Sequence, residues 1–228
     1  GSSYFNINAT YTDGSGAAIA NIVNYTGFWA NNASVPADGQ HVSDLAQVAM
    51  LQGGFDSGAL TYDASTLYAI FTAGKVNLGG GFGTQYCAYH TYGTVKIGGV
   101  SKTVLYAAMP YDYAYPAGCT AGTKSPNGDA AADAEVNTLA HEIEETTTDM
   151  KGSAWFDGRG NENADKCGWN FGTTFVSNGG TANITLGNGF TNNGALHSGG
   201  NLTFLAPTIT NSSTGGMSAL GTLDVRAT

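Results

Sequence analysis

Three residues of the segment HEIEE, namely His141, Glu142 and Glu145, have side chains that can bind a metal ion and move a proton. On an α-helix, side chains four residues apart lie on one face, so His141 and Glu145 could bind the same cation. In the metallohydrolase motif HExxH, the Glu beside the first ligand takes the proton from a metal-bound water. The spacing here is HExxE, and it predicts that Glu142 is the general base of such a site.

A carboxylate in place of the second imidazole is compatible with zinc. Zinc accepts carboxylate oxygen, and its catalytic sites commonly use three protein ligands and a water. The more anionic site also discriminates less well against other divalent cations. We therefore predict Zn²⁺ as the cofactor, with another divalent cation as the alternative.

A third ligand is predicted in the downstream segment NENADKC, which contains Glu162 and Asp165. This pair resembles zinc peptidases of the thermolysin type, in which a Glu from a second helix is the third ligand and an Asp one turn later holds a ligand His. The resemblance implies that Glu162 binds the metal and that Asp165 orients His141 through its other ring nitrogen. The reverse assignment stays open.

An acidic, solvated helix surface is the simplest alternative explanation of the motif. Four of the chain's 17 acidic residues lie within 142–149, and no Lys or Arg alternates with them. Surface helices normally mix charges of both signs, since like charges four residues apart repel each other. Carboxylates without counter-charges therefore favour a bound cation.

Two residues outside these segments are further catalytic candidates. His90 lies in the aromatic segment YCAYHTY, and Tyr111 lies in MPYDY. Either side chain could stabilise an oxyanion in a cleft. Packing in the core is the alternative for both, because an isolated His in an aromatic strand and one of 12 tyrosines more often have structural roles.

The elements that must position these residues predict an α+β fold. An Ala-, Glu- and Leu-rich helix is predicted over 130–147, and a shorter helix over 42–51, with Ser43 or Asp44 at its start and Gly53-Gly54 after its end. A short helix is also predicted over 161–167. Strands are predicted by the segments 4–8, 19–25, 67–72, 85–92 and 103–109, of which 67–72 reads as a buried central strand.

The predicted architecture is a mixed or antiparallel sheet packed against the HExxE helix, as in zincins, within a single metallopeptidase-like domain over 1–228. Residues 173–228 are rich in Gly, Asn and Thr, with strand candidates at 182–186 and 202–205. They form either the C-terminal part of that domain or a β-rich appendage. No internal repeat is evident in the sequence.

The composition restricts the partners of the protein. The 228 residues include 8 Lys and Arg against 17 Asp and Glu, for a net charge of −9. Such a balance argues against nucleic acid and against anionic membranes. No apolar run reaches the roughly 18 residues of a membrane span. We expect a monomer.

Several features favour a secreted, extracellular protein. Six Asn-X-Ser/Thr sequons could accept glycans, beginning at Asn8, Asn24, Asn32, Asn183, Asn201 and Asn211. Three cysteines allow one disulfide and one free thiol. Spacing does not decide the pairing; we favour Cys87 with Cys119, which leaves Cys167.

The chain resembles the EXORDIUM / phosphate-induced protein 1 family, chiefly its microbial branch. The resemblance covers about residues 65–172 and rests on the segments LYAIFTAGKVNLGGGF, YCAYH, MPY, SPNGD and HEIEE followed by ENADKC. Plant members are associated with the cell wall and growth signalling and lack the intact HExxE, whereas microbial members keep it and look like metallopeptidases. The chain departs from the family after Gly172.

This resemblance implies a secreted protein with a metal at His141, Glu145 and Glu162 and with Glu142 as base. Two functions follow as expectations. The first is a zinc-dependent hydrolase, most concretely a metallopeptidase, that acts on a peptide or protein substrate. The second is a non-catalytic extracellular protein that binds cell-wall polysaccharide or other glycans and uses its metal for structure.

Overall fold

The computed structural model describes residues 4–31, 35–72, 74, 76–120, 125, 128–169, 182–185, 190–192, 195–198, 202–211, 213, 216–219 and 222–227. The chain divides into two compact units, Gly1–Thr123 with Ala131–Trp169, and Lys124–Ala130 with Asn170–Thr228. In the described residues, no helix has both the length and the apolar character needed to cross a membrane. The α+β class predicted from the sequence is confirmed.

The first unit carries the candidate site and contains both helices and strands. Its α-helices and strands are α1 (Asp44–Asp56), β1 (Leu67–Phe71), β2 (Tyr89–Ile97), β3 (Val100–Met109), α2 (Pro116–Cys119) and α3 (Ala130–Asp149). Short 3-10 helices span Phe5–Thr10, Asp112–Ala114 and Asp165–Cys167.

The sheet of this unit has the order β1-β3-β2. β3 pairs in parallel with β1 and antiparallel with β2, which confirms the mixed sheet. β3 is the central strand and is buried from Val104 to Met109. The prediction of a central strand at 67–72 was therefore wrong, because β1 lies at an edge of this sheet. A continuous apolar run indicates burial of the faces but carries no information on how many neighbouring strands there are.

The long helix α3 forms as predicted and ends at Asp149, two residues beyond the predicted boundary. Three consecutive threonines in its last turns donate hydroxyl hydrogen bonds to carbonyls of the preceding turn: Thr146 to Glu142, Thr147 to Ile143 and Thr148 to Glu144. These bonds let β-branched residues remain in a helix that their propensity disfavours. Leu139 packs against the buried cluster of Ala88, Ala107 and Met109, so one side of α3 contacts the sheet.

Helix α1 starts as predicted but ends later. The Ser43 side chain accepts the N–H of Ala46, as an N-cap should. The helix then continues through both glycines to Asp56. Gly54 lies directly under Leu60 and Trp29, and this contact leaves no room for a side chain. Gly54 therefore permits close packing, and neither glycine terminates the helix.

Replacing these adjacent glycines by Ala is expected to change stability in opposite directions. A Cβ at Gly53 meets nothing within 4 Å, so Gly53→Ala should raise the free energy of unfolding by about 0.5–1 kcal/mol through helix propensity. A Cβ at Gly54 would lie 2.6 Å from Leu60 Cδ1 and 2.8 Å from Trp29 Cζ3, so Gly54→Ala should lower it by about 1–3 kcal/mol. Urea unfolding of the two variants measures both effects; equal shifts would contradict this packing.

Two strand predictions near the N-terminus were wrong. Residues Phe5–Thr10 form a 3-10 helix with Phe5 and Asn8 buried, and residues 19–25 have no regular structure. The apolar side chains of Ile22, Val23 and Tyr25 are exposed. Strand propensity was present, but no partner strand pairs with this segment in the described residues. The strand predicted at 85–92 begins only at Tyr89.

The second unit is rich in β-strands, as predicted for 173–228. Within its described residues the strands are β4 (Ala182–Thr185), β5 (Phe190–Asn192), β6 (Ala195–Ser198), β7 (Leu202–Ala206), β8 (Ile209–Asn211), β9 (Gly216–Ala219) and β10 (Leu223–Ala227). The strands predicted at 182–186 and 202–205 are thus observed as β4 and β7.

The strands of the second unit pair in parallel with strands that lie about 20 residues further along the chain. Ala182 is opposite Leu202 and Leu202 is opposite Leu223, which are steps of 20 and 21 residues. β5 pairs with β8, and β6 pairs with β9, in the same direction. Such stacking is typical of a β-solenoid with successive similar rungs. The repeat was missed in the sequence because its paired positions share few identical residues.

Candidate metal centre

Helix α3 presents His141 and Glu145 side by side, as their spacing predicts. His141 Nε2 lies 2.9 Å from Glu145 Oε1 and 3.5 Å from Asp165 Oδ1. One ligand atom from each of the three residues lies within 4.8 Å of the other two. We name His141, Glu145 and Asp165 the first ligand set.

The distances within this set are compatible with ligands of a shared ion. Glu145 Oε1 is buried and has no hydrogen-bond partner, although His141 Nε2 is only 2.9 Å away. The two atoms are therefore close without pointing at each other. Ligand atoms around a tetrahedral zinc with bonds of about 2.1 Å are separated by about 3.4 Å. One imidazole nitrogen and two carboxylate oxygens also form a donor set that zinc accepts.

The segment that supplies Asp165 is mostly a loop. The helix predicted over 161–167 is present only as the 3-10 turn Asp165–Cys167, so that expectation was wrong for its first half. The Asp165 carboxylate orders the loop before this turn, because its Oδ2 accepts the N–H of Glu162. Its Oδ1 then faces His141. Of the two assignments left open by the sequence, this geometry favours Asp165 as the third ligand.

His90, on strand β2, lies between the carboxyl groups of Glu142, Glu145 and Glu162. Its Nδ1 is hydrogen-bonded to Glu142 Oε2 at 3.2 Å and lies 3.9 Å from Glu145 Oε2. Its Nε2 is hydrogen-bonded to the Asp149 carbonyl at 2.9 Å and lies 3.7 Å from Glu162 Oε1. His90, Glu142 and Glu145 also offer ligand atoms within 4.8 Å of one another, and we name them the second ligand set.

The ionisable groups of the centre perturb one another strongly. Burial alone would lower the pKa of His90, but its hydrogen bonds with Glu142 and the Asp149 carbonyl outweigh this and raise it to about 9. Burial raises the pKa of Glu142, and the neighbouring histidines only partly oppose this. Burial and the Glu145 charge raise the pKa of Glu162 to about 7. A site of this kind holds more negative charge than its own side chains neutralise.

Among the described residues, no lysine or arginine side chain forms an ion pair with the carboxyl groups of this centre. The ion pairs that the described residues make with Glu142, Glu145, Glu162 and Asp165 all have a histidine as the partner. Lys166, which is adjacent to Asp165 in sequence, pairs with Asp157 instead. A bound cation would balance these carboxylates, as the sequence pattern suggested.

Asp149 belongs to the same region and was not predicted. It is 1 % exposed, its Oδ1 accepts the N–H groups of Ser153 and Ala154, and its Oδ2 has no hydrogen-bond partner. A signal for it existed, because the four-residue spacing of His141 and Glu145 continues to Asp149.

Tyr111 remains a prediction. Its carbonyl accepts the N–H of Ala114 at the start of the 3-10 turn Asp112–Ala114. Among the described contacts, none joins its side chain to either ligand set.

The ligand segment is held in place by residues from the start of the chain. Asn163 Nδ2 donates to Asn8 Oδ1 at 2.8 Å, and Asn8 is fully buried. Asp157 accepts the N–H groups of Arg159 and Asn161 and orders the turn before Glu162 and Asp165.

The burial of Asn8 also makes its sequon inaccessible in the folded chain, whereas Asn24 is exposed.

A second acidic pair lies further towards the start of α3. Asp112 is fully buried, its N–H donates to Glu135 Oε1, and its Oδ2 accepts the Thr138 hydroxyl. Asp112 Oδ1 and Glu135 Oε2 are buried without hydrogen-bond partners. Burial raises the pKa of both carboxyl groups to about 7.

The favoured disulfide is confirmed. Cys87 and Cys119 are bonded and close a loop with a sequence separation of 32. Disulfides persist mainly in oxidising compartments. The side chain of Cys167 lies outside the described residues.

The comparisons with known proteins point to one family. The conserved region of phosphate-induced protein 1 matches residues 2–219. The match extends well beyond the segment on which the sequence resemblance rested and includes most of the region after Gly172, so the predicted departure from the family after Gly172 was wrong. No curated protein and no solved structure matches the chain significantly.

Proposed function

Because the chain belongs to the phosphate-induced protein 1 family, we propose that it is a secreted zinc-dependent hydrolase, most concretely a metallopeptidase. The observation that carries the proposal is the convergence of His141, Glu145 and Asp165 beside the buried carboxyl group of Glu142. The HExxE motif and a third carboxylate together provide three metal ligands and a general base, which metal-assisted hydrolysis requires.

Each residue of the candidate site has a distinct role in this proposal. His141, Glu145 and Asp165 hold the ion, with Glu162 as the alternative third ligand. The ion, when bound, supplies a Lewis acid that polarises a substrate carbonyl and acidifies water. Glu142 accepts a proton from water and delivers it to the leaving amine, for which its raised pKa suits it. His90 orients Glu142 through the hydrogen bond to Oε2.

The surrounding fold supports a zincin-like arrangement. The HExxE helix α3 packs on the mixed sheet through Leu139, and β2, at an edge of that sheet, runs antiparallel to β3 and carries His90. Secretion is supported by the Cys87–Cys119 disulfide and by the exposed sequon at Asn24.

Removing the metal tests this function most directly. We expect the purified protein to contain zinc, to hydrolyse casein or a fluorogenic peptide mixture, to lose that activity on chelation and to regain it when Zn²⁺ is restored. His141→Ala should abolish both the activity and its recovery, and His41→Ala is the matched control because His41 is exposed and outside both ligand sets. Peptide hydrolysis that survives both chelation and His141→Ala would exclude this mechanism.

A glycan-binding protein is the second candidate, and one feature favours it. Tyr25 and Phe28 are 84 % and 80 % exposed on an irregular segment. Exposed aromatic rings are suited to stacking on sugar faces. Binding to insoluble cell-wall polysaccharide that is lost in Tyr25→Ala with Phe28→Ala, without hydrolysis of peptides, would support this candidate over the enzyme.

A further inference from the structure

We propose that the centre binds two divalent cations, bridged by the carboxylate of Glu145. The first ion takes the first ligand set, and the second takes His90, Glu142 and Glu145. The inference concerns the same site as the proposed function, but it is a statement about metal stoichiometry and does not depend on hydrolytic activity.

The orientation of Glu145 is the first observation for a bridge. Glu145 is the residue that the two ligand sets share. Its Oε1 lies 2.9 Å from His141 Nε2, while its Oε2 lies 3.9 Å from His90 Nδ1. The two oxygens of one buried carboxylate therefore face two different imidazoles. In hydrolases with paired ions, the ions lie about 3.5–4 Å apart, a separation that one carboxylate can span.

The hydrogen bonds of His90 are the second observation. Its Nε2 is 2.9 Å from the Asp149 carbonyl oxygen, which can only accept a hydrogen bond. Nε2 therefore carries the proton, and in the neutral ring the lone pair of Nδ1 is directed at Glu142 Oε2 and Glu145 Oε2. A lone pair facing two carboxylates is repulsive, so Nδ1 holds either a proton, as in its hydrogen bond with Glu142, or a cation that it shares with the carboxylates. A ligand histidine usually donates its other ring N–H to a carbonyl or carboxylate, and here Nε2–H would do so while Nδ1 held the metal.

Charge is the third observation. Four carboxyl groups lie within 4 Å of the imidazole nitrogens of His90 and His141: Glu142, Glu145, Glu162 and Asp165. Among the described residues these four carboxyl groups pair with histidines and with no lysine or arginine, so the side chains around them supply little positive charge. Glu145 and Asp149 are also nearly fully buried, and each has an oxygen without a hydrogen-bond partner. Buried carboxylates of this kind require a partner charge.

A second ion would replace the direct hydrogen bond between His90 and Glu142 Oε2, and His90 would then position Glu142 through the ion that they share. Glu142 would give Oε2 to the second ion and retain its other oxygen for a proton. The donor set of one imidazole and two carboxylates suits Zn²⁺ and Mn²⁺.

Metal content measures the proposal directly. The full chain is stripped with chelator, reloaded with excess Zn²⁺, passed through a desalting column and analysed for zinc and protein. We expect two zinc ions per native chain, one per chain for His90→Ala, and two for the matched control His41→Ala. One ion per native chain at saturation would overturn the proposal and would favour a doubly protonated His90.

A spectroscopic measurement on the native chain covers the case in which His90→Ala fails to fold. Loading with Mn²⁺ should give an electron paramagnetic resonance spectrum of a spin-coupled pair, and an isolated-ion spectrum at saturation would contradict a bridge. Two coupled ions without any peptide hydrolysis would refute the proposed function alone. Peptide hydrolysis with a single zinc per chain would refute the second ion alone.

Discussion

Glu142→Gln is expected to lower kcat for peptide hydrolysis by about 10²- to 10⁴-fold, the usual contribution of a positioned general base. The amide has nearly the same shape as the carboxylate but cannot accept the proton of water. Because His141, Glu145 and Asp165 are unchanged, the variant should retain at least one zinc ion per chain. Steady-state kinetics together with elemental analysis separate the loss of the base from the loss of the metal.

Glu135→Gln is the matched control for this substitution. Glu135 lies seven residues earlier on α3 and accepts the Asp112 N–H, and a Gln side-chain oxygen can accept the same bond. Its activity should stay close to that of the native chain. Equal activity of the native chain and Glu142→Gln would remove Glu142 from the mechanism.

Asp112→Asn is expected to stabilise the protein above pH 7 and to change it little at acidic pH. Burial raises the pKa of Asp112 from 3.8 to about 7. The folded chain then binds more protons than the unfolded chain between these values, so the native free energy of unfolding falls as the pH rises through them. Each pKa unit corresponds to about 1.4 kcal/mol, which sets an upper limit of about 4 kcal/mol for this group. The amide cannot ionise and avoids that loss.

Urea unfolding in chelator at pH 5 and pH 8 measures this difference. The native midpoint should fall between the two pH values by more than the midpoint of Asp112→Asn. Asp56→Asn, at the exposed end of α1, should follow the native chain. Parallel pH dependence of native protein and Asp112→Asn would mean that Asp112 is not held protonated by the fold.

Several local features of the chain were predictable because one element contains all the residues involved. The α3 helix, the Ser43 cap, the buried strand β3 and the joint orientation of His141 and Glu145 follow from spacing and propensity alone. Helical geometry places residues four apart on one face without reference to anything else in the molecule. For the same reason, the sequence already identified the part of the site that α3 provides.

Several predictions failed because the outcome depended on a distant segment. Whether Gly53-Gly54 ends α1 depended on Leu60 and Trp29 packing over Gly54. The strand-like segment 19–25 lacks a partner in the described residues, and β1 became an edge strand because β3 paired on both sides.

The sequence by itself determined that one helix of this protein presents an imidazole and carboxylates for a cation. Only the tertiary structure decided which groups complete the site: His90, which β2 brings from 52 residues before Glu142, and Asp165, which a loop turns towards His141 while Glu162 faces His90. The reason is physical. Side-chain positions along one helix follow from its backbone repeat, whereas contacts between separate segments follow from how the whole chain buries its apolar surface and closes its loops.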